Sequence, residues 1–441
     1  MEPRSYRRHL AAASFVDMQP ENDDIPARLA RYAVTRDARD LWPEVSASAF
    51  QAAQREMVRV TAAVLAGAPS PVRLDLPRDA DTRALGVAAS AAGMGPLLGF
   101  WCATGRVDAQ QSVLDLLAGH LDHGRQRAAR LRQELERILV PFADRGIEVL
   151  VLKGADTAYR YFPEPGTRPS SDLDLLVAPH DVAAARSVLV NLGFAEQGPG
   201  HGDRYRTTWT PPAVGGVRSL ELAHADNPWS VDLHVSLDRE MFPGRPMTFG
   251  TLPPTPGPRD GEVWQEFSRP VWVLREPLLL AYLAAHTSSH FYAITLVRLV
   301  ELVLVARRDF GEADWRAFAD LVRRTATGRF VFPALYLAEQ LAPGTMDAPT
   351  LKDLEAVAPR WLRKQVRATT PASAQRLHPY PFRERFLWAT TLTELLLELA
   401  WPHEQNGGRV ENRRVSPRQI LGVYWQRIRK RFLRFVRTRV P

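Results

Sequence analysis

The segment Thr167-Arg168-Pro169-Ser170-Ser171-Asp172-Leu173-Asp174-Leu175-Leu176-Val177 sets two carboxylates one residue apart in an apolar run that reads as a strand. Side chains at i and i+2 of a strand share a face, so Asp172 and Asp174 are expected to project side by side. Like charges at that separation disfavour ionisation unless a cation lies between them. An all-oxygen pair suits Mg²⁺, which is commonly held by one or two carboxylates together with substrate phosphates. The chemistry indicated is phosphoryl or nucleotidyl transfer. The same triplet on a loop would cap a helix or face water, so the rest of the chain has to decide between the two.

Two metal sites need a third carboxylate, and Val231-Asp232-Leu233-His234 offers one. Asp232 falls on the closing strand of a hairpin around Asp226-Asn227-Pro228, with His234 on the same face two residues on. If that strand lies beside the first, Asp172, Asp174 and Asp232 converge. Two Mg²⁺ ions about 4 Å apart could then clamp the attacking and leaving oxygens of an in-line displacement. His234 could orient Asp232, contact substrate or pack on the sheet.

Of 57 basic residues only four are lysine: Lys153, Lys352, Lys364 and Lys430. A lysine at a special place therefore carries weight, and Lys153-Gly154 stands where a strand ends and a short helix begins. Glycine there lets backbone approach a phosphate, the helix N-terminus adds N–H dipoles, and Lys153 adds a point charge. Arg168 is a candidate second phosphate clamp. Ser170 and Ser171 either donate hydrogen bonds to the same group or only shape the turn. No GxxxxGK[ST] occurs, which excludes a P-loop NTPase. His286 and His290 have an i, i+4 spacing that can bind zinc, but Thr287 takes the place of the glutamate of HExxH, favouring core or surface histidines. The single cysteine, Cys102, excludes an intramolecular disulfide and a thiolate cluster, and its apolar neighbours favour a buried structural thiol.

The elements that must position these residues read as an α+β chain, with a small mixed-sheet core flanked by helical regions. Residues 1–140 show apolar spacings of three and four over Ala47–Leu65, Thr82–Cys102 and Gln111–Leu139. The core, 141–240, begins with the β-branched run Ile147–Leu152 and a short helix Ala155–Phe162. It continues through the aspartate strand and a helix opened by Asp181 and stopped at Gly193, then strands at Arg204–Trp209, Arg218–Ala225 and Trp229–Val235. Residues 241–262 are Pro-rich and read as a linker or an ordered surface loop. Residues 263–408 form a C-terminal helical domain, helical from Val271, with segments Leu278–Phe291, Ile294–Arg307, Asp314–Thr325, Phe330–Leu341 and Pro381–Ala400. Residues 409–441 form a basic amphipathic tail.

Charge is localised in that tail. Residues 412–441 hold ten Arg or Lys and no acid, so the formal net charge of +8 leaves about −2 for the rest. The high pI is thus not a sign that the whole surface binds nucleic acid. The tail helix could contact an anionic membrane or RNA, or dock its apolar stripe on the protein's own helices. The N-terminus does not lead into a signal-peptide core, and no apolar run reaches the roughly 18 residues of a membrane span. A soluble, cytoplasmic protein without a transmembrane segment is expected.

Leu152-Lys153-Gly154, Arg168-Pro169, Asp172-Leu173-Asp174-Leu175-Leu176-Val177, Gly193-Phe194 and Val231-Asp232-Leu233-His234 resemble the uncharacterised nucleotidyltransferase family of the DNA polymerase β-like superfamily. The resemblance runs from about 145 to 240. It continues more loosely through the following helices, where Ala285-His286 and Arg298 with Glu301 fit the family's helical partner domain. It implies a nucleotidyltransferase fold, with Asp172, Asp174 and Asp232 as Mg²⁺ ligands that activate an acceptor hydroxyl against the α-phosphate of an NTP. Two departures stand out: the superfamily's glycine-serine is Lys153-Gly154 here, as is usual in this subfamily, and the glycine before the paired aspartates is Ser171. The expected activity is transfer of NMP from an NTP, ATP foremost, with release of pyrophosphate. The acceptor hydroxyl could belong to a small molecule, a peptide or protein, or an RNA end. The alternatives are a kinase using the same metals and a non-catalytic nucleotide-binding or interaction protein.

Overall fold

The structure is a computed structural model, and it describes residues 45–76, 81–197, 205–212, 228–242, 245–247, 261–375 and 387–389, with Ala27 and Pro43. From residue 45 on, the described residues begin with the helices α1 (Ala47–Leu65), α2 (Thr82–Ala92), α3 (Gly95–Ala103) and α4 (Gln111–Ala143). Caps set two of the starts, with Ser46 Oγ accepting from the Ala49 N–H and Asp81 Oδ1 from the Ala84 N–H. The sequence reading made 82–102 one helix. The structure breaks it at Gly93, which ends α2 at φ +68, and restarts it with Pro96 in the first turn of α3. A side chain at 93 would also strike Val297, so this break lets a later helix pack closely. Val72–Leu74 (β1) and Val107–Ala109 (β2) pair in parallel within the region read as helical. Three residues are too few for periodicity to reveal.

The central sheet is built from β3 (Val149–Leu152), β4 (Asp172–Val177), β5 (Ala195–Glu196), β6 (Arg206–Thr210), β7 (Ser230–His234), β10 (Gly261–Trp264) and β11 (Val271–Leu274), in the order β10-β11-β3-β4-β7-β6-β5. Two helices accompany it, α5 (Gly154–Arg160) and α6 (Val182–Asn191). Between the strands, β8 (Arg239–Phe242) and β9 (Arg245–Met247) make a separate hairpin.

The secondary structure after 240 differs from the expected elements. The stretch read as linker contains a hairpin, and Val271–Leu274, read as the start of helix, is a strand parallel to β3. Four β-branched and apolar residues between Pro270 and Pro277 are too short for a helical period but suit a buried strand. The expected strand at 218–225 lies outside the described residues, and β6 pairs with β7 instead. The tail 409–441 also lies outside them, as does the expected helix at 381–400 apart from 387–389.

Each face of the sheet has its own core. Leu173, Leu175 and Val177 of β4 pack with Val149, Val151, Val231, Leu233 and Val273, and with Ile138 of α4 and Val188 of α6. On the opposite face Leu150, Leu152, Leu176 and Leu274 join the large helical core. Burying one such side chain contributes roughly 1.5–3 kcal/mol. A one-residue slip of β4 would drive both aspartates into the apolar layer, so the leucines fix the register that presents them.

That helical core is completed by α7 (Leu278–Ser288), α8 (Leu296–Asp309), α9 (Glu312–Thr325), α10 (Gly328–Leu341), α11 (Ala348–Val357) and α12 (Arg360–Arg367). Among the described residues no single helix is long and apolar enough to cross a membrane. The bent pair α2 and α3, meeting at 114°, is apolar enough in sum, yet Leu85, Val87, Leu97 and Leu98 are buried in the protein's own core.

A buried carboxylate just before α7 gives a pH-dependent element. Glu276 Oε2 accepts from the Leu280 N–H at 3.2 Å while Oε1 has no partner. Burial, chiefly, pushes its pKa up from 4.5 to about 8. The unfolded chain releases this proton near 4.5 and the folded chain keeps it to about 8, so folding loses stability as pH rises across that interval. Glu276→Gln is expected to remove that slope and raise stability at pH 8 by on the order of 4 kcal/mol, with little change at pH 4.5. Urea unfolding of both proteins at the two pH values measures it, and parallel pH profiles would exclude this role for Glu276.

Candidate active site

Parallel pairing of β4 with β7 sets Asp174 opposite Asp232 and Asp172 opposite Ser230. Residues opposite each other in a pair share a face, so the three carboxylates and His234 line one patch. Asp174 Oδ1 accepts from Lys153 Nζ at 2.6 Å and lies 2.8 Å from His234 Nε2. Asp232 Oδ1 accepts from Thr208 Oγ1 at 2.7 Å, and its Oδ2 accepts from Arg206 Nη1. Potential ligand atoms of Asp174, Asp232 and His234 lie within 4.8 Å of one another, all on buried residues. A carboxylate oxygen has two lone pairs, so those holding Lys153, Thr208 and Arg206 keep one each for a cation. The donor set fits a divalent metal.

The two paired aspartates differ electrostatically. Burial opposes ionisation of Asp174, but the Lys153 ammonium and the His234 ring outweigh it and hold the carboxyl well below the usual range. Asp172 is pushed the other way, first by burial and then by the Asp174 and Asp232 charges, with Lys153 and Arg298 only partly offsetting them. One carboxylate is thus strongly anionic and its neighbour carries the repulsion, which a bound cation would relieve.

The turn after β3 brings Lys153 in by an uncommon backbone. Its φ is +54 with ψ −130, a conformation that costs a non-glycine residue on the order of 1–3 kcal/mol. The Lys153 carbonyl anchors α5 by accepting from the Asp156 and Thr157 N–H groups at 3.0 and 2.8 Å. Gly154 follows, and a Cβ there would lie 2.3 Å from both Arg168 Nη1 and Ser170 Oγ. Gly154→Ala is therefore expected to cost about 1–3 kcal/mol of stability and to displace Arg168. An unchanged urea midpoint would show that the loop yields freely.

Arg168 grips Glu301 of α8 with both arms, Nε to Oε1 at 2.9 Å and Nη2 to Oε2 at 3.1 Å, and its Nη1 donates to Ser170 Oγ at 3.2 Å. The Thr157 hydroxyl donates to the same Glu301 Oε1. Ser171 lies at the strand entrance, where its carbonyl accepts from the Ser230 N–H at 3.2 Å. The fold thus gathers Lys153, Gly154, Arg168, Ser170 and Ser171 around the aspartates. It pairs both cations with carboxylates of the chain itself, Lys153 with Asp174 and Arg168 with Glu301.

Arg127, on α4, is a site residue that sequence reasoning missed. It is only 6% exposed. Its Nε donates to the Ser170 carbonyl at 2.6 Å and its Nη2 to the Pro228 carbonyl at 3.3 Å, joining the approaches to β4 and β7. The signal was present: Arg127 occupies the buried stripe Leu117, Leu121, Gly124, Leu131 and Leu135, where a charge needs a partner. Arg206 and Thr208 were also missed, because their register against β7 is a property of pairing.

The sequence offered two other candidates. His286 and His290 meet edge to face with ring centroids 5.6 Å apart. The Cys102 thiol is half-buried, and burial, with Asp108, pushes it up to about 11, far from a thiolate nucleophile.

No curated protein and no solved structure matches the chain. The family model described as uncharacterised nucleotidyltransferase matches residues 80–343, well over half of the sequence. That span holds the whole central sheet, the aspartates with Lys153 and Arg168, and the helix that carries Glu301. By this match, laid over a mixed sheet flanked by helices and a buried Asp/Asp/His group, the chain belongs to the uncharacterised nucleotidyltransferase family.

Proposed function

We propose that the protein is a Mg²⁺-dependent nucleotidyltransferase, moving NMP from an NTP, ATP foremost, to a hydroxyl acceptor and releasing pyrophosphate. The observation that carries this reading is the β4–β7 register, with Asp174 opposite Asp232 and Asp172 on the same face. Asp172, Asp174 and Asp232 would hold the metal. When bound, a divalent ion neutralises phosphate charge and acidifies the acceptor hydroxyl.

The chain's own groups do the positioning that such transfers need. Lys153 neutralises Asp174 and presents an ammonium beside the phosphates. Arg168, fixed by Glu301 and Ser170, shapes the turn against which the phosphates lie. Asp232, held by Thr208 and Arg206, helps take the proton of the acceptor hydroxyl. Its oxygen then bonds to the α-phosphorus as the bond to pyrophosphate breaks. The carboxylate face is also the sheet face that meets the helical core, which favours an acceptor entering between the sheet and α8.

The test is incubation with Mg²⁺ and each α-³²P or γ-³²P NTP, against Asp172→Ala/Asp174→Ala. Label transferred from the α position, and lost in the variant, is the expected result. Transfer of γ label would identify a kinase. NTP turnover indifferent to the two aspartates would overturn the proposal.

A further inference from the structure

We infer that His234 is a nitrogen ligand of the catalytic metal, and that the site consequently binds first-row transition ions, with Mn²⁺ as their spectroscopic probe, more tightly than Mg²⁺. This rests on the nucleotidyltransferase reading and revises its cofactor, since Mg²⁺ becomes the weaker-binding ion of the same site. His234 lies two residues after Asp232 on β7 and opposite Leu176 of β4, so it shares the carboxylate face. Its Nε2 is 2.8 Å from Asp174 Oδ1, a separation common to a hydrogen bond and to two ligands of one ion. The same ring nitrogen and both inner carboxylates fall within the 4.8 Å span of potential ligand atoms.

Asp174 Oδ1 already accepts from the Lys153 ammonium at 2.6 Å, so a hydrogen bond donated by His234 would fill its second lone pair and leave that oxygen none for a cation. Asp232 is likewise supplied by Thr208 and Arg206. What the imidazole adds to the patch is a neutral, softer donor. Mg²⁺ takes oxygen donors almost exclusively, whereas imidazole favours transition-series ions. Asp172, at the strand entrance and less buried than Asp174, completes the set with oxygen. The mixed donors therefore select on ligand chemistry within a fold expected to use carboxylates alone.

Pulsed EPR on the full chain loaded with one equivalent of Mn²⁺ tests the ligand directly. The expected signature is ¹⁴N modulation, replaced by ¹⁵N coupling in protein grown on ¹⁵N-histidine, and absent from His234→Gln. Calorimetric titration should show Mn²⁺ bound about tenfold or more tighter than Mg²⁺. In His234→Gln, Mn²⁺ affinity should fall about tenfold with Mg²⁺ affinity little changed. Mn²⁺ bound without nitrogen coupling in the wild type, or with coupling that survives in His234→Gln, overturns the assignment. The wild-type spectrum decides even if the variant does not fold. The outcomes also separate the two claims. Aspartate-dependent α-label transfer without nitrogen coupling sinks the ligand but leaves the function, and coupling at His234 without any transfer does the reverse.

Discussion

Asp174→Asn is expected to lower turnover by on the order of 10³-fold or more and to destabilise the fold at the same time. Asp174 is the meeting point of the site, since one of its oxygens receives Lys153 and approaches His234, and its strand partner is Asp232. The amide keeps the shape and one acceptor but loses the charge that would hold a cation and that balances a buried ammonium. Breaking a buried ion pair from one side costs about 3–5 kcal/mol, because the remaining charge stays desolvated. Asp172→Asn separates the two effects. Asp172 faces the Asp174 and Asp232 charges and is less buried, so removing its charge relieves repulsion. That variant should lose turnover by at least about 10²-fold while keeping or raising stability. Label transfer and urea unfolding of the two proteins read both quantities, and an active, fully stable Asp174→Asn protein would remove Asp174 from the chemistry.

Much of this site was legible because it rests on short-range rules. The i, i+2 spacing of Asp172 and Asp174 within Leu173, Leu175 and Val177 makes a strand with one polar patch, whichever strands flank it. The strand ending at Lys153-Gly154 could be read from a β-branched run stopped by glycine. The register that brings Asp232 opposite Asp174 was a conditional expectation, and pairing supplied the condition.

What could not be read depends on long-range partners. Arg168 stands beside Ser170 as a candidate phosphate clamp, but its partner Glu301 lies 133 positions away, beyond any local rule. Arg127 reaches the Ser170 and Pro228 carbonyls over separations of 43 and 101 residues. Val271–Leu274 was absorbed into a helical region because the strand it extends, β3, lies far upstream. For the two arginines the missing quantity was the identity of a distant neighbour, and for Val271–Leu274 the local run itself suits a strand.

The Arg168–Glu301 contact leads to the second large effect. Glu301 is buried to 2% exposure, the Arg168 side chain is 11% exposed and the pair is bidentate, so neither charge has much water to fall back on. It also joins the turn before β4 to α8, binding the helical region to the site. Glu301→Gln keeps the volume, removes the charge and leaves the guanidinium desolvated, with an expected loss of about 3–5 kcal/mol. Turnover should fall as well, because Arg168 would be free to leave the Gly154–Ser170 turn. Replacing both partners distinguishes stability from function. Buried ion pairs are often matched or exceeded by apolar residues of similar size, so Arg168→Met/Glu301→Leu should recover much of the stability. The same protein should not recover turnover, since the group that shapes the turn proposed to hold the phosphates is gone. Urea midpoints with α-³²P transfer measured on the single and double variants decide it. A double variant as active as the wild type would reduce Arg168 to a structural pin, and a loss below about 1 kcal/mol in Glu301→Gln would mean that water reaches the pair.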